Sequence, residues 1–162
     1  FPKSSRPRGA TRRADVTILE TLQPGDRYDY IFLTVREEQL RCALAQLNGN
    51  ISPTIVTMAN TIAPYAELDR LCGKGRLLPA FPGAGGGFLN GIVDAGLTPY
   101  FIQPTTFGEI DGRNSERVET LKRIFSKAHI PHQVVKDMRL WQICHLGAVF
   151  RLCRQERRRF PS

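Results

Sequence analysis

Between residues 28 and 81, apolar runs alternate with helical stripes, and that alternation leaves few folds open. YDYIFLTV (28–35) is rich in aromatic and β-branched residues, like a strand buried on both faces of a parallel sheet. In REEQLRCALAQLNGN, Leu40, Ala43, Leu44 and Leu47 recur at helical spacing, and Asn48-Gly49 supplies a stop. TIVTMAN (54–60) predicts a second strand. Pro64 opens a short helix, PYAELDRLCG, which Gly73 ends. RLLPAF (76–81) predicts a third strand. The order β-α-β-α-β is the signature of a doubly wound α/β sheet, and the handedness of parallel crossovers restricts its topology further.

Beyond the third strand the rhythm changes. GIVDAGLTPYFIQ and TTFGEIDG have no helix between them and predict strands joined by turns, an antiparallel addition to the sheet. DGRNSERVETLKRIFSKAH predicts a helix capped by Ser115, with Val118, Leu121, Ile124 and Phe125 as its apolar stripe. IPHQVVKD predicts another short strand. MRLWQICHLGAVF begins a final helix, with Trp141 as its core anchor.

The net charge of +8 sits at the ends. Residues 1–13 carry +5, residues 151–162 carry +4, and the body between them carries −1. Basic tails can bind phosphate backbones without specificity, whereas a nucleic-acid-binding domain more often carries its basic stripe on the folded surface. Nucleic acid is therefore not the expected partner. No apolar run approaches the length of about 18 residues that a membrane span needs, and the basic N-terminal stretch has no apolar region of signal type behind it. The four cysteines form no C-x-x-C, and Pro131 interrupts His129 and His132, so no metal site is expected. The cysteines read as reduced, buried thiols of a cytoplasmic protein. Cys144 and His145 are adjacent on a predicted helix, about 100° apart, and so do not pair.

FPGAGGGF (81–88) follows the third strand, where a glycine loop could cradle a phosphate. A dinucleotide fingerprint, G-x-G-x-x-G, needs glycine at the sixth position and a helix behind it. Gly83-Ala84-Gly85 begins correctly, but Phe88 takes the sixth position and LNGIVDAG has no helical stripe. Two readings remain for Gly83, Gly85, Gly86 and Gly87: a loop beside a ligand pocket at the end of a parallel strand, or a flexible bend between the parallel and antiparallel parts.

YDYIFLTVREEQL, TIVTMANTIAPYAEL, RLLPAF with its glycines, GEIDGRNSERVETLKRIFSKAHIP and MRLWQ, in that order over residues 16–150, resemble the 2-dehydropantoate 2-reductase (ketopantoate reductase) family. The resemblance implies an NADP-dependent reductase of 2-keto acids, with a Rossmann-type domain preceding an all-helical one and the active site in the cleft between them. It places Arg36 where the family carries a lysine beside the cofactor. It places Asn60 where the family has an Asn-Gly near nicotinamide and substrate, with Thr61 replacing the glycine. Glu109 falls in a Gly-Glu pair and reads as structural. Two features of the family pattern are absent: the first βαβ unit with its phosphate loop, and the general-acid lysine, whose place is held by Ile143. Isoleucine has no proton to donate. His145, two positions on, faces elsewhere on the helix, and no catalytic residue is assigned.

The expected fold is α/β, an incomplete Rossmann-type (doubly wound parallel) sheet with an antiparallel addition, followed by the first helix of a truncated helical domain. The expected organisation is a basic disordered tail over 1–15, a partial NADP-binding domain over 16–137, the start of a helical domain over 138–150 and a second basic disordered tail over 151–162. The abrupt change of composition at both ends predicts a truncated or frame-shifted product. The functional expectation is a reductase-like fragment of impaired or no activity. An inert remnant or protein-interaction module is the alternative, and non-specific nucleic-acid binding through the tails a second one. NADP is the expected cofactor, weakly bound or lost. Unpartnered strand edges predict oligomers.

Overall fold

A computed structural model of the chain describes residues 15–89 and 91–147. The two basic tails, apart from Asp15, lie outside the described residues, as do Cys153 and residues 148–150 of the expected last helix. The strands and helices are β1 (Ile31–Leu33), α1 (Glu37–Gln46), β2 (Ile55–Thr57), α2 (Tyr65–Cys72), β3 (Leu77–Phe81), β4 (Ala84–Leu89), β5 (Ile92–Leu97), β6 (Thr105–Phe107), α3 (Glu116–Lys127) and β7 (His132–Val134). Residues 138–147 form a further helix, α4.

β1, β2 and β3 pair in parallel, with Ile31 beside Ile55 and Ile55 beside Leu77. β6 joins β3 antiparallel, and β7 joins β6 in parallel, giving the order β1-β2-β3-β6-β7. The mixed α/β fold with an antiparallel addition is therefore as the alternation predicts.

The strand period of two builds two cores. Ile55 and Leu77 face Leu40 and Leu44 of α1, Leu68 and Cys72 of α2, and Met138 at the start of α4. Their neighbours Val56 and Leu78 face the opposite way, with Phe107, onto Val118, Leu121 and Phe125 of α3.

Three expectations change. YDYIFLTV is not buried on both faces: β1 is an edge strand, and Phe32 is 41% exposed. Its aromatic residues pack on one side only, Phe32 lying 6.1 Å from Phe125. Ile124 leaves the apolar stripe of α3 because Val118, Leu121 and Phe125 already fill the face that meets the sheet. Among the described thiols, Cys72 is buried, whereas Cys42 and Cys144 are exposed.

Capping follows the residues. Ser115 accepts a hydrogen bond from the Val118 N–H and closes the N-terminus of α3. At the other end of α3 the His129 N–H donates to Ser126 and the Ile130 N–H to Phe125, a Schellman turn with Ile130 packed back beside Phe125. His129 takes the left-handed position of that turn, at φ 54°, where glycine fits without strain. His129→Gly is therefore expected to stabilise the fold by about 1 kcal/mol, read from denaturant midpoints at constant slope.

Glu109 follows β6 and is 4% exposed. It accepts from Arg117 Nε at 2.7 Å, from Arg117 Nη2 and from the Ser115 hydroxyl. Burial pushes its carboxyl up, but the Arg117 and Ser115 hydrogen bonds and the Arg117 charge outweigh it and hold the pKa below the usual range. The pair's stabilisation is thus present above the unfolded carboxyl value of about 4.3 and lost as pH falls through the folded one. Glu109→Gln is expected to cost about 2–3 kcal/mol at neutral pH and to flatten the acid side of a stability-versus-pH curve, checked by urea unfolding across the acid range.

Candidate functional site at the carboxyl edge of the sheet

Parallel strands end on one edge, and in open α/β sheets ligands bind beyond that edge. Arg36, three residues past β1, and Asn60, three past β2, are both exposed there, and Gly83 follows β3 on the same side. Arg36 is the residue that caps α1. Its carbonyl accepts from the Gln39 N–H, and its own N–H donates to the Gln39 side chain. Its guanidinium is 84% exposed and 4.0 Å from Glu38. Next to Asn60, Thr61 is buried, donates to Glu37 at 3.1 Å and accepts from the Ala63 N–H. The threonine in the family's glycine position therefore ties the loop after β2 to the first turn of α1.

The glycine stretch is a strand. Gly85, Gly86 and Gly87 lie in β4, opposite Gly96, Ala95 and Asp94 of β5, in a two-stranded hairpin separate from the main sheet. Gly83 marks where the chain leaves β3. Its N–H donates to Thr105 Oγ1, and a Cβ there would stand 2.3 Å from the Thr105 nitrogen, which no side chain can do. A Cβ at Gly86 would meet the Asp94 carbonyl at 2.3 Å. These two glycines permit close approach of main chain to main chain within the fold.

A cavity of about 340 Å³ opens between the turn at Tyr100–Pro104 and α4. Arg36, Asn60 and the four glycines are not among its lining residues. Phe81, the last residue of β3, lies 5.5 Å from the Trp141 ring and 4.6 Å from His145. His145, one turn on from Trp141, stacks on it at 5.0 Å and 4°. Burial pushes the His145 pKa down, favouring the neutral ring. Cys144 and His145 both border the cavity, while Ile143 is half exposed on another side of α4.

The sequence does not announce the Tyr100–Pro104 wall, because PYFIQ continues an apolar pattern and reads as strand. β5 stops at Leu97, and Pro99 begins a tight turn whose carbonyl accepts from the Ile102 and Gln103 N–H groups. The available signal was the pair of prolines, 99 and 104, that bracket the aromatic residues.

α4 is held over this edge by a buried chain of hydrogen bonds. The Tyr65 hydroxyl donates to Gln142 Oε1, and Gln142 Nε2 donates to the Ala59 carbonyl at 2.9 Å. Arg139 adds bonds to the Ile62 and Ala63 carbonyls.

No protein-family model and no curated protein matches the chain. Among solved structures, 2-dehydropantoate 2-reductase from Geobacter metallireducens GS-15 shares the fold, with a TM-score of 0.55 at 16% sequence identity. The match covers 68% of this chain and 38% of that one, so this chain corresponds to well under half of the reductase. No described helix is long and apolar enough to cross a membrane.

Burial raises the Tyr65 pKa to about 12. The corresponding stability is present below the ordinary tyrosine value of about 10 and lost as pH rises through the folded one. Tyr65→Phe, which strands the buried Gln142 oxygen, is expected to cost about 1–3 kcal/mol at neutral pH. The variant should also lose one late-titrating tyrosine in a spectrophotometric alkaline titration.

Proposed function

We propose that this domain is a catalytically silent scaffold of NADPH-dependent 2-keto acid reductase type, serving as an interaction module rather than as an enzyme. The observation that carries this reading is the chemistry of the carboxyl edge. A dinucleotide needs free N–H groups at a helix N-terminus or in a glycine loop to meet its pyrophosphate. Here the first turns of α1 and α2 hold Glu37, Glu38 and Glu67, which repel an anion. The glycines that follow β3 are paired into a hairpin. Among the described residues, then, a pyrophosphate does not fit.

The proton donor is the second deficit. The resemblance puts Ile143 at the position of the general acid, and His145, whose ring could carry a proton, stacks on Trp141 beside Phe81, where burial pushes its pKa down. The fold shared with the reductase supports a common scaffold, while these side chains support silence. The exposed apolar residues Phe88, Val93, Tyr100, Phe101 and Ile102, on the hairpin and the turn after it, support an interaction role.

Thermal unfolding of the full chain with and without saturating NADPH tests the reading, because a ligand that binds only the folded state must raise the midpoint. A cooperative transition with no shift is expected. An upward shift that disappears in Arg36→Ala and Asn60→Ala would overturn it, assign those residues to the nicotinamide end of the cofactor and make turnover of 2-keto acids worth measuring.

A further inference from the structure

We infer that the β4–β5 hairpin is a membrane-contacting element whose tip enters the interface of an anionic lipid surface. The inference names the partner of the interaction module proposed above. NADPH plays no part in its test, so its failure would leave the catalytic reading untouched.

The hairpin stands apart from the main sheet. Among the described residues, β4 and β5 pair with each other and with no other strand. The Thr98 N–H donates to the Gly83 carbonyl and closes the base. Six rungs, from Ala84–Leu97 to Leu89–Ile92, carry the ribbon about 17 Å from that base. A two-stranded hairpin is marginal in water without a further surface to pack on. The run of glycines in β4 weakens this one further.

The composition is that of a surface that leaves water. From Pro82 to Pro104 the chain carries one charged residue, Asp94, although 23% of all its residues are charged. Solvated strand faces are usually polar. Here Phe88 is 83% exposed, and Val93 is exposed beside it.

The arrangement of the tip selects lipid over a protein groove. Phe88 pairs with Val93 on one face of the ribbon. The next pair, Leu89 with Ile92, falls on the opposite face, as the period of two requires. Asn90 and Gly91, between them in sequence, add no charge. A groove on a protein covers one face of a ribbon and leaves the other in water. A lipid interface surrounds the tip and takes both faces. Asp94, opposite Gly87, sets the depth. The two rungs beyond it span about 7 Å, within the roughly 5–10 Å that interfacial elements reach. At that depth headgroups and their water still meet the outward N–H and C=O groups of the ribbon.

Charge favours an anionic surface. The body of the chain carries −1, whereas residues 1–13 carry +5 and residues 151–162 carry +4. Basic segments are drawn to acidic headgroups. Stable attachment takes two signals, and the apolar tip supplies the second.

Co-sedimentation of the full chain with vesicles tests the inference. Vesicles of phosphatidylserine and phosphatidylcholine are expected to bind the chain, and vesicles of phosphatidylcholine alone to bind it more weakly. Combining Phe88→Ser with Val93→Ser should weaken binding to the mixed vesicles roughly tenfold. Both side chains are exposed, so the double variant should keep the wild-type urea midpoint. In Phe88→Trp, read against a wild type that carries Trp141, the added emission should shift to the blue on binding. Lipids brominated on their acyl chains should quench it. A wild type that stays in the supernatant would overturn the inference. A double variant that binds as tightly as the wild type would also overturn it, and would assign attachment to the basic tails alone. Oligomers that form without lipid and vanish in the double variant, with no vesicle binding, would assign the hairpin to a second copy instead.

Discussion

The Arg117 guanidinium joins the two halves of the sheet. It grips Glu109, beyond the end of β6, and it donates to the carbonyls of Gly75, Arg76 and Leu77, where the chain rises into β3. A single side chain thus fixes the antiparallel strand against the last parallel one. The helix that carries it lays Val118, Leu121 and Phe125 on the face those strands share. A buried ion pair contributes little net stability over a well-packed apolar alternative, but breaking one is costly because a charge is left unpaired. The value of this pair lies in the geometry it enforces. α3 can dock in only one position that satisfies Glu109 and three main-chain carbonyls together.

The same junction explains a proline inside a central strand. Pro79 pairs with Thr57 of β2 in the middle of β3, a place where a missing N–H usually breaks a ladder. Its carbonyl accepts from the Gly108 N–H, so Pro79 points its main chain toward β6 rather than β2. On that side the ladder pairs only Ala80 and Phe81 with β6. The absent N–H therefore falls just past the last rung of that ladder. Four residues after Pro79, Gly83 lets the chain leave the sheet against Thr105, run out and back as a hairpin, and return as β6. The change from parallel to antiparallel pairing needs this excursion.

What could be read in the sequence is what local chemistry decides. Ser115 before a Val118-Leu121-Phe125 stripe specifies a helix and its start, and Pro64 and Gly73 bracket another, with Gly73 taking a positive φ of 97° at its end. The alternating order gave the parallel half of the sheet. What could not be read depends on partners distant in sequence. YDYIFLTV has the composition of a central strand, and only the sheet order makes it an edge. FPGAGGGF has the composition of a loop and becomes a strand because GIVDAGL pairs with it. Of the expected site residues, Arg36 and Asn60 do stand at the carboxyl edge. The cavity beside Trp141 and His145 could not be inferred, because its other wall is a turn whose aromatic residues continue a strand-like pattern.

The carboxyl edge also shows how stabilising a helix can disqualify it from binding an anion. Glu37 and Glu38 lie in the first turn of α1, where the partial positive charge of the helix favours them. Glu37 is further fixed by Thr61, and Glu67, at the head of α2, reaches across to Arg41 of α1, which pulls its pKa down. Each carboxylate is favoured by the dipole of its helix, and Glu37 and Glu67 also tie α1 to its neighbours. A phosphate seeks the same dipole. In the reading proposed above, the contacts that make α1 and α2 dock well therefore place the protein's own negative charge at the helix ends that a dinucleotide phosphate would need. Converting this edge to bind one would require more than adding a glycine loop. The three glutamates would have to be neutralised, and the links from Thr61 and Arg41 that now join loop and helices would be weakened with them.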